Sequence, residues 1–128
     1  MTRNQINNRI EAYATAVREH NSEAVSQLFA PQIDHIVHGL GTDPDNPWNS
    51  KRETDRVGIK KIYDTFFAQA EEMTVQYTDR IIDIEANSAA LIVRVKTASA
   101  TMQNALHIKW NTAGKIVYFY NWYGVPPA

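Results

Sequence analysis

The sequence predicts an α+β domain, with helices gathered on one face of an antiparallel sheet. The strongest sign lies in residues 88–124, which read as three strands in succession. Within them Leu106, Ile108 and Trp110 alternate with Ala105, His107 and Lys109, an apolar rank against a mostly polar one. A turn at Asn111, Thr112, Ala113 and Gly114 follows, and residues 115–123 then form a strand that is apolar on both sides. Val117, Phe119, Asn121 and Tyr123 point one way; Ile116, Tyr118, Tyr120 and Trp122 point the other. Such a strand needs cover on both faces, helices on one and another surface on the other. The second sign is a set of upstream helical stripes with apolar residues three and four apart.

Taken in order, Ile6, Ile10, Tyr13, Ala14 and Val17 share one face of a helix over about residues 3–20. Asn21 or Ser22 caps a second, short helix through Val25, Leu28 and Phe29, which Pro31 stops. Residues 33–38 are short, β-branched and end at Gly39, the pattern of a strand. Residues 40–54 carry Gly41, Pro44 and Pro47 and read as a loop with Trp48 in its middle. A loop near 15 residues in a compact domain more often covers a binding site than fills space. Asp55 then caps a third helix, whose stripe of Ile59, Ile62, Tyr63, Phe66, Phe67 and Ala70 is the strongest in the chain. That makes it the best candidate to lie on the sheet. Residues 74–84 and 90–101 are strands around a turn at 86–88, and Arg94 and Lys96 mark the outer face of the second. With no repeat, linker or low-complexity tract, residues 1–128 form one domain.

Bulk properties exclude several partners. Lys and Arg number 13 against 14 Asp and Glu, a net charge of −1. Nothing in that balance attracts nucleic acid or an anionic membrane. With no cysteine there are no disulfides, thiolate nucleophiles or cysteine metal sites. The first residues lead into an amphipathic helix rather than a signal sequence, and no apolar run approaches the roughly 18 residues of a span. A cytoplasmic protein is the expectation.

The helix pair closing at Leu28, Phe29, Ala30 and Pro31, the strand ending at His38, Gly58 and Ile59 opening a helix with Phe66 and Phe67, and Gly114, Lys115 and Ile116 opening the last strand together resemble the nuclear transport factor 2-like superfamily. Within it the chain is similar to the SnoaL-like and ketosteroid-isomerase-like branch, over essentially its whole length. The resemblance implies a cone-shaped, curled sheet closed by three helices, a deep and mostly apolar pocket, and homodimers built through the convex sheet face. It implies no single activity, since the superfamily hosts isomerases, cyclases, dehydratases, hydrolases and plain binders. Ketosteroid-isomerase-like members carry a tyrosine on the first helix, a carboxylate base at the end of the first strand and a protonated aspartic acid before the last hairpin. Tyr13 falls at the first position. His38 falls at the second, allowing one extra residue after Ala30, and Leu106 falls at the third, counting back from Gly114. A leucine cannot make the hydrogen bond that a neutral acid makes to a substrate oxygen, so steroid isomerisation is not expected.

The chemistry that remains is acid–base. His38 is a candidate general base, because an unperturbed imidazole titrates near pH ~6.5. Tyr13 and an amide from Asn121 or Asn104 are candidate donors to developing negative charge. Strand alternation puts Asp34, Ile36 and His38 on one face, Asn104 and Leu106 on one face, and Phe119, Asn121 and Tyr123 on one face; these are the expected pocket ranks. Tyr63, Phe67 and Trp48 are the expected apolar walls. Plain packing accounts equally for Tyr13, a structural histidine accounts for His38, and an exposed strand-start aspartate accounts for Asp34. No metal is expected, because His35 and His107 leave the pocket by parity and no ligand-spaced pair exists. No cofactor is expected either, as no phosphate-binding loop appears. Tyr118, Tyr120 and Trp122 suit a homodimer contact. The expected function is a small-molecule pocket protein, as a cofactor-free isomerase, cyclase or dehydratase acting on an apolar oxygenated substrate. A ligand-binding homodimer without turnover, or an adaptor using the convex face, stands as the alternative.

Overall fold

A computed structural model describes residues 1–38, 50–69, 72, 74–98 and 101–123; for 35–38, 50–52, 69 and 123 it describes the backbone alone. Helix α1 (Arg3–Arg18) opens with a capping box in which Thr2 and Gln5 satisfy each other's backbone amides. Ile6, Ile10, Tyr13, Ala14 and Val17 are all buried, as their spacing predicts. Asn21 caps α2 (Ser22–Gln27), its Oδ1 accepting from the Ala24 amide at 3.0 Å. The helix ends two residues short of Phe29, and β1 (Phe29–His38) runs straight through Pro31. Proline lacks a donor, and the ladder is irregular there: β1 slips register against both neighbours near this residue.

Part of the predicted loop is a strand. β2 (Ser50–Asp55) pairs antiparallel with β1 at the edge of the sheet. Its sequence, Ser-Lys-Arg-Glu-Thr-Asp, has no apolar alternation, because an edge strand needs none and gains from charge. Trp48 and the rest of the segment lie outside the described residues. Asp55 accepts from the Gly58 amide at 2.8 Å and starts α3 (Arg56–Gln69). Then follow β3 (Thr74–Asp83), β4 (Ser88–Lys96), β5 (Thr101–Trp110) and β6 (Ile116–Tyr123). The sheet order is β2-β1-β6-β5-β4-β3, antiparallel except where β1 lies parallel to β6. The architecture is α+β, a curled six-stranded sheet with three helices, and α1 and α3 share its cover. α1 lies against β3 and α2, and α3 lies against β1, β2 and α2.

The core joins Ile6, Ile10 and Tyr13 of α1 and Ile59 and Tyr63 of α3 to the inner rank of the sheet. That rank is Val75 on β3, Ala89, Leu91 and Val93 on β4, Asn104, Leu106, Ile108 and Trp110 on β5, and Phe119 and Asn121 on β6. Ile116 joins them, although simple alternation puts it on the outside. A register shift lets Trp110 pair with Ile116 while Lys109 pairs with Tyr118, and the extra residue turns Ile116 inward. Gly114 allows the tight turn before it with φ of +76°, a conformation that suits glycine. Phe66 departs from the predicted stripe and is 36% exposed.

Candidate functional site

Polar groups inside an apolar core mark where a fold gives up stability for another purpose. Here two of them, Asn104 and Asn121, stand on the inner rank, and a tyrosine pair joins α1 to α3. Tyr13 and Tyr63 meet edge to face, ring centroids 6.3 Å apart at 81°. Their hydroxyls are 2.6 Å apart and buried, so one donates to the other. The Tyr13 ring also sits 5.3 Å from Phe119, which in turn packs on Phe29 at 5.7 Å. Two residues beyond Phe119 on the same face is Asn121, 8% exposed; on the neighbouring strand Asn104 is 7% exposed. Register pairs Leu106 with Asn121 and Asn104 with Tyr123, so the two amides are diagonal neighbours flanking Leu106. The Oδ1 atom of each is buried and has no hydrogen-bond partner among the described residues.

Tyr77 extends the group and is the residue that sequence reasoning missed. It pairs with Val93, which pairs with Asn104, making one row across β3, β4 and β5. Burial pushes its phenol well above the usual tyrosine range, and the neighbouring Tyr13 phenol adds to the effect. A clue existed in the sequence, where Val75 and Tyr77 alternate with Thr74 and Gln76. Tyr63, expected as an apolar wall, supplies a hydroxyl as well. Phe67 is half-buried behind it, 5.7 Å from Tyr63 and stacked on His20 at 5.1 Å.

Strand β1 departs from expectation. Its backbone register sets Asp34 against Tyr118, Ile36 against Tyr120 and His38 against Trp122, while Val37 aligns with Asn121. Strand partners share a face, so Asp34 goes with the outer aromatic rank at Tyr118, not with Asn121, and the backbones of Ile36 and His38 continue the same register. Counting alternation within one strand could not show this, because the irregular stretch around Pro31 decides which rank meets which. Burial first, then the neighbouring Tyr120 phenol and the Asp34 charge, hold the Tyr118 phenol above its ordinary value. The side chains of His38 and Tyr123 lie outside what is described.

The outer face carries its own ladder. Tyr118 stacks on Tyr120 at 5.0 Å, and Tyr120 lies 4.9 Å from Trp122, which is 39% exposed. His107 meets Tyr118 at 5.2 Å, and Lys109 Nζ sits 4.8 Å over the same ring. Burial, then the Lys109 charge, lowers the His107 pKa. A hollow of about 360 Å³ between Thr74, Gln76, Arg94, Lys96 and Thr101 shares no residue with the tyrosine–amide group. Among the described residues no three His, Asp or Glu stand close enough to hold a metal ion. No helix among them is long and apolar enough to cross a membrane.

Residues 6–116 match the model of the SnoaL-like domain. The chain belongs to that family. Solved structures agree on the fold at low identity. A cystatin-like protein from Methylobium petroleophilum matches all of this chain and 81% of its own at TM-score 0.76 and 18% identity. A protein of ketosteroid isomerase-like fold from Catenulispora acidiphila, solved with trimethylamine, matches 91% and 85% at 0.73 and 16%. The epoxide hydrolase/cyclase-like enzyme SalBIII, of pyran ring formation in salinomycin, matches 95% and 92% at 0.70 and 12%. No protein of curated function matches the sequence. The SnoaL-like chain thus shares a scaffold with cyclase-like and isomerase-like proteins, and buries the Tyr13–Tyr63 hydroxyl pair, Asn104 and Asn121 among its polar groups.

Proposed function

We propose that this SnoaL-like chain is a small-molecule pocket protein, holding a mostly apolar, oxygen-bearing molecule between α1, α3 and the inner rank of β5 and β6. The observation that carries this reading is the buried Tyr13–Tyr63 hydroxyl pair facing a rank that holds two buried amides. A few convergent polar groups among aromatic and aliphatic walls is the composition of a small-molecule site. The names of two structural relatives support it, one a cyclase-like enzyme and one solved with trimethylamine.

The finer reading is a cofactor-free isomerisation, cyclisation or dehydration in which His38 moves a proton while Tyr13 and Asn121 hold the substrate oxygen. The register of His38 with Trp122 weighs against it, so binding without turnover stands first. A neutral cyclic ketone, 2-tetralone, separates the two. Titrated into the protein in deuterated buffer, it is expected to shift the resonances of Tyr13, Phe119 and Asn121 saturably, with no gain in deuterium uptake at its acidic C–H over buffer. Uptake more than tenfold faster, and lost in His38→Ala, would establish proton transfer by His38 instead. A folded protein whose Tyr13, Phe119 and Asn121 signals stay still would overturn the pocket.

A homodimer through the outer face is a second reading, favoured by the stacked rank ending in the exposed Trp122. Tryptophan and tyrosine give large contact area with few rotamers to freeze. Trp122→Glu is expected to halve the sedimentation mass and leave the circular dichroism unchanged. A dimer that persists in this variant rules the face out.

A further inference from the structure

Two polar groups in this core lack an explanation in the fold itself. Asn104 and Asn121 are each more than nine-tenths buried, and neither side-chain oxygen has a hydrogen-bond partner among the described residues. A buried amide left unpaired works against folding, whereas an apolar side chain of the same shape there is close to neutral or favourable. Leucine is such a side chain, and the chain uses it at Leu106 between them. Both amides stand on the inner rank, diagonal to each other across β5 and β6, at a spacing of roughly 7–8 Å between backbones. Two amides on one face at that spacing are within reach of the two ends of one small ligand group.

We propose that Asn104 and Asn121 form an amide clamp that selects a neutral ligand bearing a primary carboxamide. The inference rests on the pocket reading above and adds the ligand's chemistry to it. Two acceptor oxygens without donors among the described residues call for a group that gives two hydrogens, which one carboxamide nitrogen supplies. An amide that turns by half a rotation presents its NH₂ end instead, and the carbonyl of the same ligand group accepts from it. A hydroxyl alone brings only one hydrogen. Charge is excluded by what surrounds the clamp: the buried polar residues described are Ser26, Ser88, Asn104 and Asn121, none of them ionised. A carboxylate or ammonium ion entering here loses its hydration with no buried counter-ion among the described residues to replace it. Leu106, Phe119 and the Tyr13 ring, which packs on Phe119, are the buried apolar surfaces on the same side of the sheet.

The test compares three probes of one shape, benzamide, benzoate and toluene, followed by resonance shifts at Tyr13 and Phe119 at neutral pH. Wild type and the variants Asn104→Leu and Asn121→Leu are used. Wild type is expected to bind benzamide at least tenfold more tightly than toluene and to ignore benzoate. Each leucine variant is expected to lose that preference and to melt at a higher temperature than wild type, because a buried amide has been replaced by an apolar side chain of similar size. A structural role for the amides moves melting the other way, and a lower melting temperature in both variants overturns the clamp. Toluene binding as tightly as benzamide, or benzoate binding best, overturns the clamp while leaving the pocket standing. Failure of every probe to move Tyr13 or Phe119 overturns both.

Discussion

Phe119→Ala is expected to remove about 3–5 kcal/mol of folding stability, the usual cost of emptying a fully buried aromatic position. Phe119 has no solvent exposure and joins what α1 brings to what the sheet offers: it touches Tyr13 from one side and Phe29 from the other. It also pairs with Ile108, itself sealed in the core. Truncation leaves a hollow beneath Tyr13 that neither strand can close without breaking the β5–β6 ladder. For a domain of this length the loss corresponds to a fall in melting temperature of about 10–20 °C. A domain holding about 5–15 kcal/mol in total is left marginal by it. Phe66→Ala is the control on α3: that side chain is 36% exposed, so its removal is expected to cost about 1 kcal/mol or less. Calorimetry or chemical denaturation of the two variants decides. A Phe119→Ala protein that melts within a few degrees of wild type would mean that the helices do not depend on this contact.

The same residue shows why much of this fold is legible from the sequence. Leu106, Ile108 and Trp110 alternate, and all are buried; Phe119 and Asn121 alternate with Tyr118, Tyr120 and Trp122, and the ranks part as alternation dictates. Helix α1 is equally open to reading, because its apolar stripe recurs at the helical period and each member is buried. What escapes is whatever depends on a neighbour. Ile116 turns inward through a register shift that no periodicity in β6 reveals. The polar strand β2 carries no apolar signal, since it stands at the edge of the sheet. The parallel pairing of β1 with β6 aligns His38 with Trp122, and this comes from the irregular passage around Pro31. The candidate site divides along the same line. Tyr13, Asn104, Leu106, Phe119 and Asn121, on regular elements, come together on the inner side, while Asp34, on the irregular strand, does not.

Leu106→Asp is the sharpest probe of how dry that inner side is. Leu106 is buried between Asn104 on its own strand and Asn121 across the ladder, with Leu91 on its other side. It stands where ketosteroid-isomerase-like chains carry a protonated acid. An aspartic acid placed there loses hydration, and its pKa in the folded state is expected to rise by about 3 units above the ordinary ~3.9. The sign then follows from linkage. Below about pH 4 the carboxyl is protonated in both folded and unfolded chains, and the variant differs from Leu106→Asn only in packing. As pH climbs, the unfolded chain ionises first, so stability drains away until the folded carboxyl ionises near pH 7. Each unit of separation is worth about 1.4 kcal/mol, so the aspartate variant is expected to trail the asparagine variant by about 4 kcal/mol at neutral pH. Melting curves of the two variants at each half unit from pH 4 to 8 give the comparison directly. Parallel curves would mean that water already reaches Leu106, in which case Asn104 and Asn121 are hydrated and need no ligand. Diverging curves would mean that Leu106, and the amides flanking it, lie in a place water does not fill.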